Sequence, residues 1–546
     1  MWIVPHPYHT LTHSDIETLD INSDDLIERP SASRDLAQFI CKMIHLKDLT
    51  LRGQCHDDFY STSSSMASSA KIETLYIDSD DLSERPSASR DLAQFICKMT
   101  HLKDLILIET LEINPADLNE RPSASRDLAQ FICKMTHLKD LTLCGQCHDD
   151  FYSTASSMVS SAKIETLYIN SDDLIKQPSA SRDLAQFICK MTHLKDLTLD
   201  GQYHDDFYST SSSMASSVKI ETLWIYSKDL NKRPSSSRDL AQFICKMTHL
   251  KDLTLGAQYH DDFYSTSLSM ASSVKIETLW IYSADLWKRP SSSRDLAQFI
   301  CKMTHLKDLI LGGQYHDDFY STSSSMALSA KIETLELNYL SLNERPSASR
   351  DLAQFVCKMT HLEKLSLGSQ FHDDFYSTSS SMASSAKSCT TSPNLTELTV
   401  DTSTLEVWQD CGSMFDSVKR VTIEAERTIN CDVIQRIHLP GATELTIQTH
   451  EYGRRPAGFH EEPTSIPNAL LNISPQLVKV TFRDLGIGNS KMELILQAFS
   501  SPHNLKHLKI IRFIRCGSDE AVDDVIIACN KDQVMEVKVE HGKPRR

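Results

Sequence analysis

Apolar residues fall along this chain in two rhythms. One has period two: Leu46-x-x-Leu49-x-Leu51 and Ile72-x-x-Leu75-x-Ile77 set large aliphatic side chains on alternate positions. That pattern reads as a short strand with one buried face. The other rhythm is helical. Leu36, Phe39, Ile40 and Met43, within Pro30 to Met43, stand at i, i+3, i+4 and i+7 and make one buried stripe. Ser31 or Ser33 is expected as its N-cap and Asp35 in its first turn, where the helix dipole favours an acid. A second helix is expected from Asp57 to Ala70, with Phe59, Met66, Ala67 and Ala70 on one face. Its run of serines has middling helix propensity, so it should be shorter or frayed.

These elements repeat. The segment Arg-Asp-Leu-Ala-Gln-Phe-Ile-Cys-Lys-Met begins at Arg34, Arg90, Arg126, Arg182, Arg238, Arg294 and Arg350, with Val356 replacing Ile in the last copy. The copies are 56 residues apart except for one interval of 36. A fixed long period implies a solenoid, in which each unit buries its apolar face against its neighbours. Each 56-residue period carries two strand motifs, hence two half-units of about 28 residues.

Both motifs approximate L-x-x-L-x-L-x-x-N-x-L, with Gln54 or Asp80 near the place where Asn or Cys is usual. In this the chain resembles the leucine-rich repeats of ribonuclease-inhibitor-like proteins and of the C-terminal sensor arrays of animal NOD-like receptors. The resemblance implies an α/β horseshoe with one parallel sheet on the concave side and helices on the convex side, and the count of strand motifs gives it roughly 18 to 20 strands.

Residues 1–15 read as an extension or remnant, 16–386 as near-identical repeats, and 387–546 as degenerate repeats closing the array. Ile16-x-x-Leu19-x-Ile21 already begins the repeats, which leaves little room for a cap and favours a fragment of a larger receptor. Around Leu102 to Ile113 two strand motifs are fused. One continuous strand would turn Glu109 inward, a costly buried charge, so either Leu102–Leu107 or Ile108–Ile113 should hold the sheet register. Beyond Ala386, strand motifs are expected at Leu398/Val400, Val421/Ile423, Leu445/Ile447, Val480/Phe482, Leu508/Ile510 and Val537/Val539. Helices are expected over Lys491 to Ser500 and Ser518 to Cys529.

Composition narrows the function. A net charge of −17 argues against a nucleic-acid binder, which needs a basic stripe. Seven of the fifteen cysteines, from Cys41 to Cys357, occupy one equivalent position beside the helix stripe. They read as small apolar core residues in a reducing compartment. No apolar run is long enough for a secretory leader or a membrane span, so a cytoplasmic location is expected, no membrane insertion, and no use of the sequons at Asn394 and Asn472.

The sequence contains no phosphate loop, no G-x-S-x-G and no H-E-x-x-H. Cys144-x-x-Cys147 lacks a second pair and reads as coincidence. The recurring His-Asp-Asp, first at His56, reads as aspartates capping the serine-rich helix, because full-period copies stand roughly 10 Å apart and could not share an ion. Arg29-Pro-Ser-Ala-Ser33 reads as a helix start more than as a phosphorylation site. No enzymatic activity and no cofactor are expected.

The copies differ from one another mainly at the outward strand positions. In one strand these hold Tyr168, Trp224 with Tyr226, and Trp280 with Tyr282. The companion strand offers an acidic row that includes Asp196, Asp252 and Asp308. Tyr203, Tyr259, Tyr315 and Phe371 stand nearby and are expected to add exposed rings. Clustered exposed aromatics suggest a binding patch. The expected function is therefore recognition of a protein or microbial ligand on the concave face. The resemblance implies the sensing part of a NOD-like-receptor-type innate immune protein; a cytosolic adaptor or inhibitor clamping an endogenous protein is the alternative.

Overall fold

The computed structural model describes residues 16–78, 104–107, 125–529 and 535–540, with short breaks inside the first and third stretches. The chain divides into two compact units, Met1–Lys275 and Ile276–Arg546.

In the first unit the strands follow chain order: β1 (Thr18–Asn22), β2 (Asp48–Arg52), β3 (Thr74–Asp78), β4 (Asp104–Leu107), β5 (Asp140–Cys144), β6 (Thr166–Ser171), β7 (Asp196–Gly201), β8 (Thr222–Tyr226) and β9 (Asp252–Leu255). Each pairs in parallel with the next, leucine against leucine: Leu49 with Leu75, Leu167 with Leu197, Leu223 with Leu253. The fused region resolves in favour of its first motif. β4 lies between β3 and β5 with Leu105 opposite Leu75 and Leu141, while 108–113 falls outside the described residues.

The second unit continues with β10 (Thr278–Ser283), β11 (Asp308–Gly313), β12 (Thr334–Asn338), β13 (Lys364–Gly368), β14 (Glu397–Asp401) and β15 (Arg420–Ala425). A two-residue pair, β16 (Thr428–Ile429) and β18 (Gly458–Phe459), stands apart; β17 (Glu444–Thr449), β19 (Lys479–Arg483) and β20 (Ile510–Ile514) extend the sheet. All pairings from β10 to β20 along this sheet are parallel.

Two expectations near the end of the chain fail. The inward pair on β20 is Ile511 and Phe513, not Leu508 and Ile510, so the motif sits three residues later than the leucine spacing suggests. The described part of the helix expected over Ser518 to Cys529 is a strand instead, and 518–523 lie outside the described residues. β21 (Asp524–Cys529) runs antiparallel to β20, and β22 (Met535–Glu540) antiparallel to β21. Nine residues separate β20 from β21. A parallel crossover needs a dozen or more, whereas the run Val525-Ile526-Ile527 has the β-branched character of a strand.

The helices pack behind the sheet. Leu184, Phe187 and Ile188 of helix Pro178–Lys190, with Met191 just beyond its end, are all buried, as the stripe requires. Each such side chain contributes about 1.5–3 kcal/mol. The first copy is looser: Leu36 and Phe39 are only half-buried. At this position Cys133, Cys189, Cys245 and Cys301 are buried and Cys357 is half-buried, and none of them is in a disulfide. Burial pushes the Cys189 and Cys245 thiols up to about 12.

The helix starts differ from expectation. Proline occupies N1, and the residue before it (Arg29, Gln177, Arg233, Arg289 or Arg345) is the N-cap, with no capping hydrogen bond from its side chain. Proline needs no N–H partner there and is pre-set in φ. The helix thus begins five residues before the aspartate, and Asp35 lies outside the first turn. Ser33 and its equivalents are buried clasps instead. Ser237 Oγ donates to Leu230 O at 2.8 Å and accepts from His260 N at 3.1 Å, and Ser181, Ser293 and Ser349 repeat both bonds.

In the serine-rich helices the histidine is the cap. Nδ1 of His148, His204, His260 and His316 accepts from the backbone N–H two residues on, at 3.0–3.2 Å. The aspartates occupy the first turn; the second of each pair binds an arginine of the preceding helix, as in Arg126–Asp150 at 2.7 Å, while Asp205 and Asp317 bind Arg233 and Arg345 at the start of the following one. Most of these helices are nine or ten residues long where Pro-started ones reach twelve or thirteen, as the serine content implies, but Asp373–Ser385 runs for thirteen.

Candidate binding face

Period-two alternation leaves one face of each sheet without helices. On β8 the burial alternates, with Leu223 and Ile225 in the core and Trp224 38% exposed. Tyr226 stands two residues on, its ring 6.4 Å from that of Trp224 and tilted by 55°. Tyr168 on β6 is half-buried, its hydroxyl 3.4 Å from Asp200 on β7. Asp196 and Asp252 begin β7 and β9 and are half-buried.

The acidic row is flanked by cations, which the sequence reading missed. Lys195 pairs with Glu165 and Lys251 with Glu221, each at 2.6 Å. Lys307 and Glu277 repeat this rung in the second unit. The hydrogen bond that Lys195 donates to Glu165 raises its ammonium above the ordinary value, and Asp196 adds to the effect. Such exposed pairs are screened by water and add little to stability. The aspartates therefore sit in a mixed-charge edge along the strand starts.

In the second unit Trp280 and Tyr282 occupy the matching positions of β10, with Tyr282 48% exposed. They form one wall of a cavity of about 680 Å³ on the helix-free face. Glycine makes the room: a Cβ at Gly312 would come within 2.7 Å of the Tyr282 ring. In the first unit, Gly256 stands under Tyr226 in the same way, at 2.3 Å. Beyond Gly312 the floor is small and polar, with Ser366 on β13 and Thr399 on β14. Glu336, Glu397 and Glu424 supply carboxylates, and Lys364 the lining cation. Asp308, at the start of β11, does not line this cavity.

The carboxylates are held differently. Glu397 is shared by two cations, Lys364 at 3.6 Å and Arg420. Glu336 accepts from the side-chain amide of Asn338, and Glu424 from that of Gln448 at 2.9 Å. An amide donor orients a carboxylate without cancelling its charge.

One group of expected surface rings is misplaced. Tyr203, Tyr259, Tyr315 and Phe371 are core residues, at most 2% exposed. Tyr203 stacks on Phe207 at 4.8 Å between centroids, and its hydroxyl donates to Ile169 O at 3.3 Å and Asp200 O at 3.1 Å. A large ring with a satisfied hydroxyl is stable inside. They lie past the strand, where alternation no longer assigns the outward face. Conversely, Trp287 on the turn Leu286–Lys288 is 45% exposed with Lys288 Nζ 4.7 Å from its ring centre. Its only sequence signal was variation among copies, against Ile175 and Asn231.

Compared with protein-family models and with curated protein sequences, the chain matches none. Among the described residues no helix is long and apolar enough to cross a membrane.

Proposed function

We propose that this chain is a non-enzymatic recognition module of the leucine-rich-repeat type, which receives a protein ligand on the helix-free face of its sheet. One observation carries the reading: Trp224, Tyr226, Trp280 and Tyr282 stand on that face of their strands, with the core filled by leucine and isoleucine between them. Aromatic rings anchor interfaces because they bury much area at little rotamer cost. Repeat length and strand motif support a role like that of the sensing array of a NOD-like receptor. Buried thiols outside any disulfide support a reducing, cytoplasmic setting.

The test is substitution of Trp224 and Trp280 by Ser. The variant is expected to keep its circular-dichroism spectrum and melting temperature, and to lose tenfold or more in partner capture, about 1.4 kcal/mol. An unfolded variant would show that these rings support the core. A folded variant with unchanged capture would place recognition elsewhere.

A further inference from the structure

The cavity in the second unit has a wall chemistry that selects among ligands. Trp280 and Tyr282 stand on β10, and Glu336 stands on β12 with only Ile310 and Gly312 of β11 between them. Two strand spacings amount to roughly 10 Å. That gap admits a flat group against the rings whose far edge reaches the carboxylate. At about 680 Å³ the cavity has the size of a site for one or two side chains.

Charge narrows the occupant. Three carboxylates and one lysine line the cavity. That lysine is engaged by Glu397, while Glu336 is oriented by the neutral amide of Asn338. A cation held between aromatic faces and a carboxylate gains from both the ring quadrupole and the ion pair. Guanidinium suits this better than ammonium, since it is planar, stacks on rings and presents a fork of donors.

We propose that this cavity binds arginine side chains of an extended segment of the protein partner. The proposal rests on the recognition reading above and adds the chemistry of the ligand. An acidic or phosphorylated segment would meet like charge, and an apolar one would desolvate the Glu336 carboxylate with only the neutral Asn338 amide beside it.

The test uses the full chain and three fluorescent peptides of one length, alternating glycine with arginine, norleucine or glutamate. Binding is read by fluorescence anisotropy at 0.15 M salt. The arginine peptide is expected to bind best. E336Q/E424Q should weaken it tenfold or more, and Tyr282→Ser at least fivefold. A control that removes the same charge from exposed sites outside the cavity, Glu344→Gln with Glu363→Gln, should change it less than twofold. Equal losses in the control would reduce the effect to net charge and overturn the proposal. If the norleucine peptide binds as well and responds to Tyr282→Ser but not to E336Q/E424Q, the face recognises ligands without guanidinium chemistry; the proposal fails and the recognition reading stands. If no peptide responds to any cavity substitution, and Trp224→Ser with Trp280→Ser leaves partner capture intact, both fall.

Discussion

Ser237→Ala isolates the hydroxyl clasp that joins successive elements of the array. Ser237 is fully buried, and its Oγ donates to Leu230 O at 2.8 Å while accepting from His260 N at 3.1 Å. Alanine removes both bonds and leaves a buried carbonyl and an N–H to find other partners. The loss of one buried partner costs about 1–3 kcal/mol, so about 2 kcal/mol is expected here. Solenoid stability is local, summed over units and their interfaces, so the effect should centre on the turn and the helix entry joined by Ser237. Native-state hydrogen exchange is the appropriate assay, because a long array need not unfold in one step. Amides of residues 230–246 and 260–270 should exchange about 30-fold faster, the ratio that 2 kcal/mol implies at tenfold per 1.4 kcal/mol. Amides of residues 166–190 should be unchanged. Ser235→Ala, at an exposed position of the same helix, is the control and should be neutral. Exchange unchanged in Ser237→Ala, or accelerated equally by the control, would refute the clasp.

Gly201 has φ +126°, and a Cβ there would meet Ser171 O at 2.2 Å, so Gly201→Ala should lower stability by a few kcal/mol in thermal unfolding. Tyr259→Ala should destabilise by about 3–5 kcal/mol, as loss of a buried ring does, while Tyr282→Ser should leave the melting temperature within a degree or two. The thiols of Cys189 and Cys245 are raised by burial from 9.0 to about 12, so the folded protein should resist thiol reagents at pH 8. Their sign is that of a group protonated more firmly when folded: their contribution is full below about pH 9 and falls as pH rises from there towards 12, by about 1.4 kcal/mol per unit for each thiol. Replacing both with Ala should flatten the alkaline part of the melting-temperature profile.

The strands and the Pro-started helices were legible in the sequence because burial there is periodic. Leu223 and Ile225 must face one way if Trp224 faces the other, and the repetition of 56 residues confirms each choice several times over. Strand order and parallel pairing follow from the same spacing, since a helix between strands returns the chain to the same edge. Where periodicity stops, local pattern ceased to decide. Tyr203 and Tyr282 are both tyrosines near the end of a strand, yet one is core and the other surface. What separates them is the stacking of Tyr203 on Phe207 and the seat Gly312 provides for Tyr282, contacts between segments that no single segment encodes. Ser33 and Ser237 could be assigned hydroxyls but not partners, because the acceptor carbonyl and the donor N–H lie on other elements. The cavity is likewise tertiary. Its aromatic wall, small floor and carboxylates come from β10 to β15, spread over more than 140 residues, and only parallel stacking at fixed spacing brings Trp280, Gly312, Glu336 and Glu424 to one face.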